Sequence, residues 1–187
     1  MKLTDKQEVL LTFVKACHGD QQRKYTGEPY WTHPYEVASL VNKIPYGVEV
    51  ALCHDLIEDT PCQLEDLIEK LIEIGYSREE RKIIVPAVNE LTDVFTTEAY
   101  PEMNRKIRKA AEAQRLFTTG ALAQTVKYAD MAHNTASICK YDPGFAKVYL
   151  KETKHLVKGM RKGDFDLYLL CCYSLVKGMS VSEAAEE

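Results

Sequence analysis

Apolar residues in this chain return at helical spacing almost without interruption, and no stretch alternates apolar with polar residues as a half-buried strand would. Val9, Leu10, Phe13 and Val14 fall on one stripe, and Val37, Leu40, Val41 and Ile44 on another. Breakers cut the pattern at Gly27 to Pro34, Pro45 to Gly47, Thr60 to Cys62, Gly75 to Ser77, Gly120 and Asp142 to Gly144. The reading is an all-α bundle of roughly seven to nine helices joined by short loops. The string LVKGM occurs twice, ending at Met160 and at Met179, and a Lys-Gly pair closing a helix predicts two similar C-terminal caps rather than an internal repeat.

At 187 residues and 45% hydrophobic content, the chain can bury one core, so a single domain is expected over residues 1–180, followed by an acidic tail at 181–187 that frays. A net charge of -4 gives no general attraction for nucleic acid or an anionic membrane, so neither is expected as a partner; a local basic patch still suits a small phosphorylated molecule. The six cysteines lack paired CxxC spacing and read as reduced thiols, with Cys53 a buried core thiol. The opening MKLTDKQEVL has no apolar signal-peptide core and no stretch is long enough to span a bilayer, which together predict a cytoplasmic location.

The segment ALCHDLIEDTP, from Ala51 to Pro61, sets polar groups within an apolar helical pattern. At about 100° per residue His54 and Glu58 project from nearly one face, as do Asp55 and Asp59, so one imidazole and three carboxylates are expected to crowd one side of a helix end. Crowded carboxylates call for a compensating cation or hydrogen-bond donors. Carboxylates favour Mn²⁺ or Mg²⁺ and imidazole favours Zn²⁺ or Fe²⁺; the mixed set points to Mn²⁺. Taken alone, His54 and Asp55 read as a surface pair, but WTHPYEVA adds His33 at a helix start and VKYADMAHN adds Asp130, His133 and Asn134 on one helix face. Tyr30 and Trp31 are expected to pack the loop around His33 rather than to stack on a base.

The ordered set of His, His-Asp and Asp resembles the HD-domain metal-dependent phosphohydrolases. HGDQQRKYTGEPYWTHPYEVA, ALCHDLIEDT, NELTD and VKYADMAHN, in that order, resemble the hydrolase domain of the RelA/SpoT family, including its stand-alone small alarmone hydrolases. The resemblance covers most of the chain. It implies a helical HD fold, a Mn²⁺ ion, and removal of the 3′-diphosphate of guanosine tetra- or pentaphosphate as pyrophosphate, with no opposing synthetase. It assigns His33, His54, Asp55 and Asp130 as metal ligands, and Glu58 and Asp59 as the catalytic acidic pair. Arg23 and Lys24 match its nucleotide-handling basic pair, Asn134 a polar contact beside the fourth ligand, and Tyr149 a tyrosine that closes the nucleotide pocket.

Two departures bear on the substrate. Met131 and Ala132 stand where the family often has a basic residue and a leucine, and the segment from Phe95 to Arg115, with Arg105 and Lys106 as candidate phosphate contacts, only loosely resembles the small hydrolases. Two alternatives follow: the same site acting on another phosphorylated nucleotide such as NADPH, or a nucleotide sensor that has lost turnover. His133 is left outside the metal set.

Overall fold

The computed structural model describes the backbone of residues 1–184 and the side chains of residues 1–180. Ten helical segments occur among the described residues, and one is the single turn Leu56–Asp59, which leaves nine of seven residues or longer, the top of the expected range. Strand structure among them is confined to an isolated bridge between Gln22 and Pro29. The chain falls into two compact units, Met1–Thr92 and Asp93–Glu187.

The first unit holds α1 (Asp5–His18), α2 (Thr32–Leu40), α3 (Gly47–Cys53), α4 (Leu56–Asp59), α5 (Leu64–Ile74) and α6 (Arg78–Leu91). Every residue of α3 is buried, and α1, α2 and α6 all pack on it. Its apolar side chains, with Leu10, Val14, Val37 and Leu56, form the core, each large one contributing about 1.5–3 kcal/mol on burial. The buried Glu49 on α3 is held by the Gln7 amide at 3.0 Å and the Tyr76 hydroxyl at 3.2 Å. The start of α6 is fixed by a reciprocal cap between Ser77 and Glu80.

The break given as Gly27 to Pro34 ends earlier: α2 begins at Thr32, so His33 stands at a helix start as WTHPYEVA predicts, and Pro34 falls in the first turn, where an amide hydrogen has no helical partner to lose. ALCHDLIEDTP was to form one helix end; α3 instead closes with His54 as its cap, and α4 restarts after Asp55. No Gly or Pro marks that break.

In the second unit, α8 (Ala121–Tyr141) packs against α9 (Pro143–Gly159) and α10 (Phe165–Ala184), and α7 (Arg105–Thr118) packs on α9. The buried carboxylate of Glu112 on α7 accepts from the backbone amides of Val94 and Phe95, both at 3.1 Å, and from Arg115 at 2.6 Å, which secures the connection running into α7. Of the two LVKGM strings only the first is a cap, ending α9 at Gly159 and Met160. The second lies inside α10: a Cβ on Gly178 would come within 2.8 Å of the Cys139 sulfur and 3.0 Å of Leu150, so glycine there serves close helix packing. The helix continues to Ala184, and the rest of the acidic tail lies outside the described residues.

The six cysteines are free thiols and Cys53 is fully buried. Among the described residues, no helix is long and apolar enough to cross a membrane.

Candidate functional site

The loop from Gly19 to Trp31 delivers the first group of site residues. Arg23 and Glu28 pair through the Arg23 amide and the Glu28 carbonyl at 2.8 Å, and the Gly27 amide closes the turn onto the Arg23 carbonyl at 3.1 Å. Gly27 adopts φ +71°, a conformation that side-chain-bearing residues rarely take, so this turn depends on glycine. It leaves Arg23 half-buried and Lys24 exposed, with the Lys24 ammonium 4.8 Å above the Tyr25 ring.

The loop feeds directly into α2, whose first turn places the buried His33. His33 Nε2 lies 3.5 Å from Asp55 Oδ2, and His54 Nε2 lies 3.1 Å from Asp55 Oδ1. Asp55 therefore has an imidazole on each oxygen. The two histidine rings meet edge to face at 5.2 Å, and one donor atom from each of the three residues falls within 4.8 Å of the others.

These residues fit a divalent cation. His54 Nδ1 sits 2.7 Å from the Ala51 carbonyl, an acceptor, so Nδ1 carries a proton, and in the neutral ring Nε2 turns a lone pair toward the Asp55 carboxylate. Two electron-rich atoms at that separation repel each other unless positive charge lies between them. Three convergent donors of this kind are a mixed imidazole and carboxylate set suited to a borderline divalent ion.

Tyr30 joins this cluster to the acidic pair. Its hydroxyl lies 2.9 Å from Asp55 Oδ2 and 2.6 Å from Asp59 Oδ2, so Asp55 and Asp59 stand side by side. Burial, followed by the charge of Asp55, raises the Asp59 carboxyl above its ordinary pKa, and the Tyr30 hydrogen bond opposes that shift. Burial and the same two carboxylates push the Tyr30 phenol well up, so it remains a donor. Glu58 and Asp59 are both exposed on α4, so the burial acting on Asp59 is partial.

Sequence reasoning gave Tyr30 only a packing role. Its ring does stand against His33, 6.0 Å between centroids, and Trp31 packs on Tyr35, but the bridging hydroxyl was missed. His18 was missed as well: it is buried at the end of α1, stacks on Tyr30 at 4.8 Å, and holds Gln21 through Nδ1 at 2.8 Å. The available signal was position, since Tyr30 precedes His33 by three residues and His18 opens the HGDQQRK string.

In the second unit α8 presents the buried Asp130, which accepts from the Asn134 amide at 2.6 Å and the Lys127 ammonium at 2.9 Å. Asn134 thus sits beside Asp130. The Tyr149 hydroxyl, on α9, reaches the Met131 carbonyl at 3.4 Å, and burial together with the nearby Asp130 raises its pKa. Asp130, Asn134 and Tyr149 line one cavity of about 690 Å³, together with Met131, Arg105 and Lys106. Arg105 is gripped by Glu152 through two bonds of 2.8 and 3.2 Å, and Lys109 by Asp93 at 2.7 Å. His133, half-buried, precedes Asn134 on α8.

No family model matches the chain. Over 146 residues, 75% of this chain and 20% of the relative, it is 36% identical to a guanosine-3′,5′-bis(diphosphate) 3′-pyrophosphohydrolase of Haemophilus influenzae. Over 143 residues it is 31% identical to the bifunctional (p)ppGpp synthase/hydrolase SpoT of Escherichia coli, covering 75% of this chain and 19% of that one. The chain spans about a fifth of the length of these curated relatives. A solved structure of a metazoan ortholog of SpoT, described as hydrolysing ppGpp and playing a role in starvation responses, shares the fold: TM-score 0.76 and 20% identity, over 95% of this chain and 97% of that one. The motifs around His33, His54–Asp55 and Asp130, the helical fold and these likenesses agree, and over most of its length the chain is similar to the RelA/SpoT hydrolases.

Proposed function

We propose that the chain is a metal-dependent phosphohydrolase that removes the 3′-diphosphate of guanosine tetra- or pentaphosphate as pyrophosphate. The observation that carries this reading is the convergence of His33 and His54 on the two oxygens of Asp55, beside a second carboxylate, Asp59. His33, His54 and Asp55 hold the ion, with Mn²⁺ favoured by the mixed donor set. The resemblance supplies Asp130 as a fourth ligand. Such an ion, when bound, supplies Lewis acidity toward a phosphoryl oxygen and water that ionises near neutral pH.

The chain's own residues do the rest. A carboxylate of the pair Glu58 and Asp59 takes a proton from the attacking water, a role generally worth about 10²–10⁴-fold in rate. Water adds at the phosphorus carried by the ribose 3′-oxygen, the bond between them breaks, the 3′-oxygen takes up a proton, and pyrophosphate departs. Arg23 grips phosphate oxygens in two parallel bonds and Lys24 acts as a point charge against the developing negative charge. The cavity holding Asn134 and Tyr149 is of the size that takes a nucleotide, and the cations of α7 on its wall suit phosphates. Free thiols throughout are in keeping with a cytoplasmic setting.

The test is to incubate the purified protein and Mn²⁺ with guanosine tetraphosphate, NADPH and GTP, and to resolve the products. Pyrophosphate and GDP from the first are expected. Phosphate from NADPH with guanosine tetraphosphate untouched would move the site to the alternative substrate, and tight binding with no turnover would make the protein a sensor.

A further inference from the structure

We infer that Tyr30 is a positioning residue that fixes Asp55 and Asp59 to one another, and that His18 holds its ring in place. The assignment of Asp59 to proton transfer rests on the hydrolase reading above; the assignment of Asp55 rests on the cluster geometry alone.

The hydroxyl of Tyr30 has one hydrogen and stands within bonding reach of two carboxylate oxygens, 2.9 Å from Asp55 and 2.6 Å from Asp59. Asp55 Oδ2 is the oxygen that also faces His33, so the phenol contacts the metal-facing side of that carboxylate. Without a donor there, two neighbouring carboxylates would repel and turn apart; with one, each is held in a single rotamer. Groups that orient metal ligands through such hydrogen bonds set ligand direction and basicity.

The ring in turn is fixed on two sides and through its backbone. His18 stacks on it at 4.8 Å, with a 29° interplanar angle, and His33 meets it edge-on at 6.0 Å. His18 cannot swing freely, because its Nδ1 is bonded to Gln21 at 2.8 Å, while the Gln21 carbonyl accepts from the Tyr30 amide at 2.8 Å. One residue, Gln21, thus ties the stacking imidazole and the tyrosine backbone together. His18 Nε2 is buried with no hydrogen-bond partner among the described residues, so the ring is kept there for its face.

The test uses Tyr30→Phe, which keeps the ring and its stacking and removes only the hydroxyl. Mn²⁺ binding, followed by electron paramagnetic resonance, is expected to weaken on the order of 10- to 100-fold, and kcat to fall by a similar factor with KM little changed. In an Asp59→Asn background, assayed with Mn²⁺ raised until the variant is saturated so that the weakened hold through Asp55 is compensated, the same substitution is expected to cost less than about 3-fold in kcat, because the proton-transfer group it positions is already disabled. A full loss of kcat in both backgrounds would overturn the link to Asp59, and unchanged Mn²⁺ affinity would overturn the link to Asp55. Weakened Mn²⁺ binding in a protein that hydrolyses none of the nucleotides supports the Asp55 assignment while refuting the hydrolase reading. A His18→Ala variant is expected to reproduce part of the Mn²⁺ loss, and its equality with the wild type would overturn the supporting role of the stack.

Discussion

Gln124, fully buried near the start of α8, is the clearest place to measure what holds the second unit together. Its amide nitrogen donates to the carbonyls of Leu116 at 3.0 Å, Phe117 at 3.3 Å and Thr119 at 3.5 Å, while its oxygen accepts from the Lys162 amide at 2.8 Å. One side chain therefore joins the end of α7, the start of α8 and the turn after α9. Gln124→Leu keeps most of the volume and removes all four bonds. The Leu116 carbonyl still receives the Thr119 hydroxyl at 2.8 Å and the Thr119 carbonyl still receives the Lys162 ammonium at 2.9 Å, so the principal losses fall on Phe117 and Lys162. At roughly 1–3 kcal/mol for each polar group stripped of its partner, the substitution should cost about 3 kcal/mol. For a chain of this size that corresponds to a fall in Tm of about 6–12 °C. Urea unfolding followed by circular dichroism, with calorimetry for Tm, measures both. A change below about 0.5 kcal/mol would refute the claim that this amide is a structural junction.

Two further outcomes follow from the same structure. Gly178→Ala should destabilise by about 1–3 kcal/mol through overpacking against Cys139 and Leu150, despite alanine's better helix propensity, and a gain in urea midpoint would contradict the close-packing role. Asp59 binds its proton more tightly in the folded than in the unfolded chain, so its contribution to the metal-free protein is fully present below about pH 4 and is lost as pH rises through the raised value. Metal-free Asp59→Asn should accordingly match the wild type in acid and become the more stable of the two at higher pH; a difference independent of pH in unfolding experiments would contradict this.

Helices were legible because their signal is local: apolar spacing and breakers at Gly75, Gly120 and Asp142 act over a few residues. LVKGM marks the limit of that reading, since the same five residues close α9 and run through the interior of α10. What separates them is the packing of Gly178 against Cys139 and Leu150, which no local window contains. The site divides in the same way. His33, His54 and Asp55 were readable as a set because buried polar residues in apolar helical surroundings need a common partner. The break at His54 was not, because neither Gly nor Pro produces it, and the bridging role of Tyr30 depends on the path of the loop that carries it.

The central claim is that His33, His54 and Asp55 converge on one cation, and an electron paramagnetic resonance titration of metal-stripped protein with Mn²⁺ tests it most directly. The wild type should take up a single tightly held ion per chain, and Asp55→Asn should fail to hold it at concentrations that saturate the wild type while keeping its helical circular dichroism. Equal uptake by the folded variant, or no specific uptake by the wild type, would contradict the account.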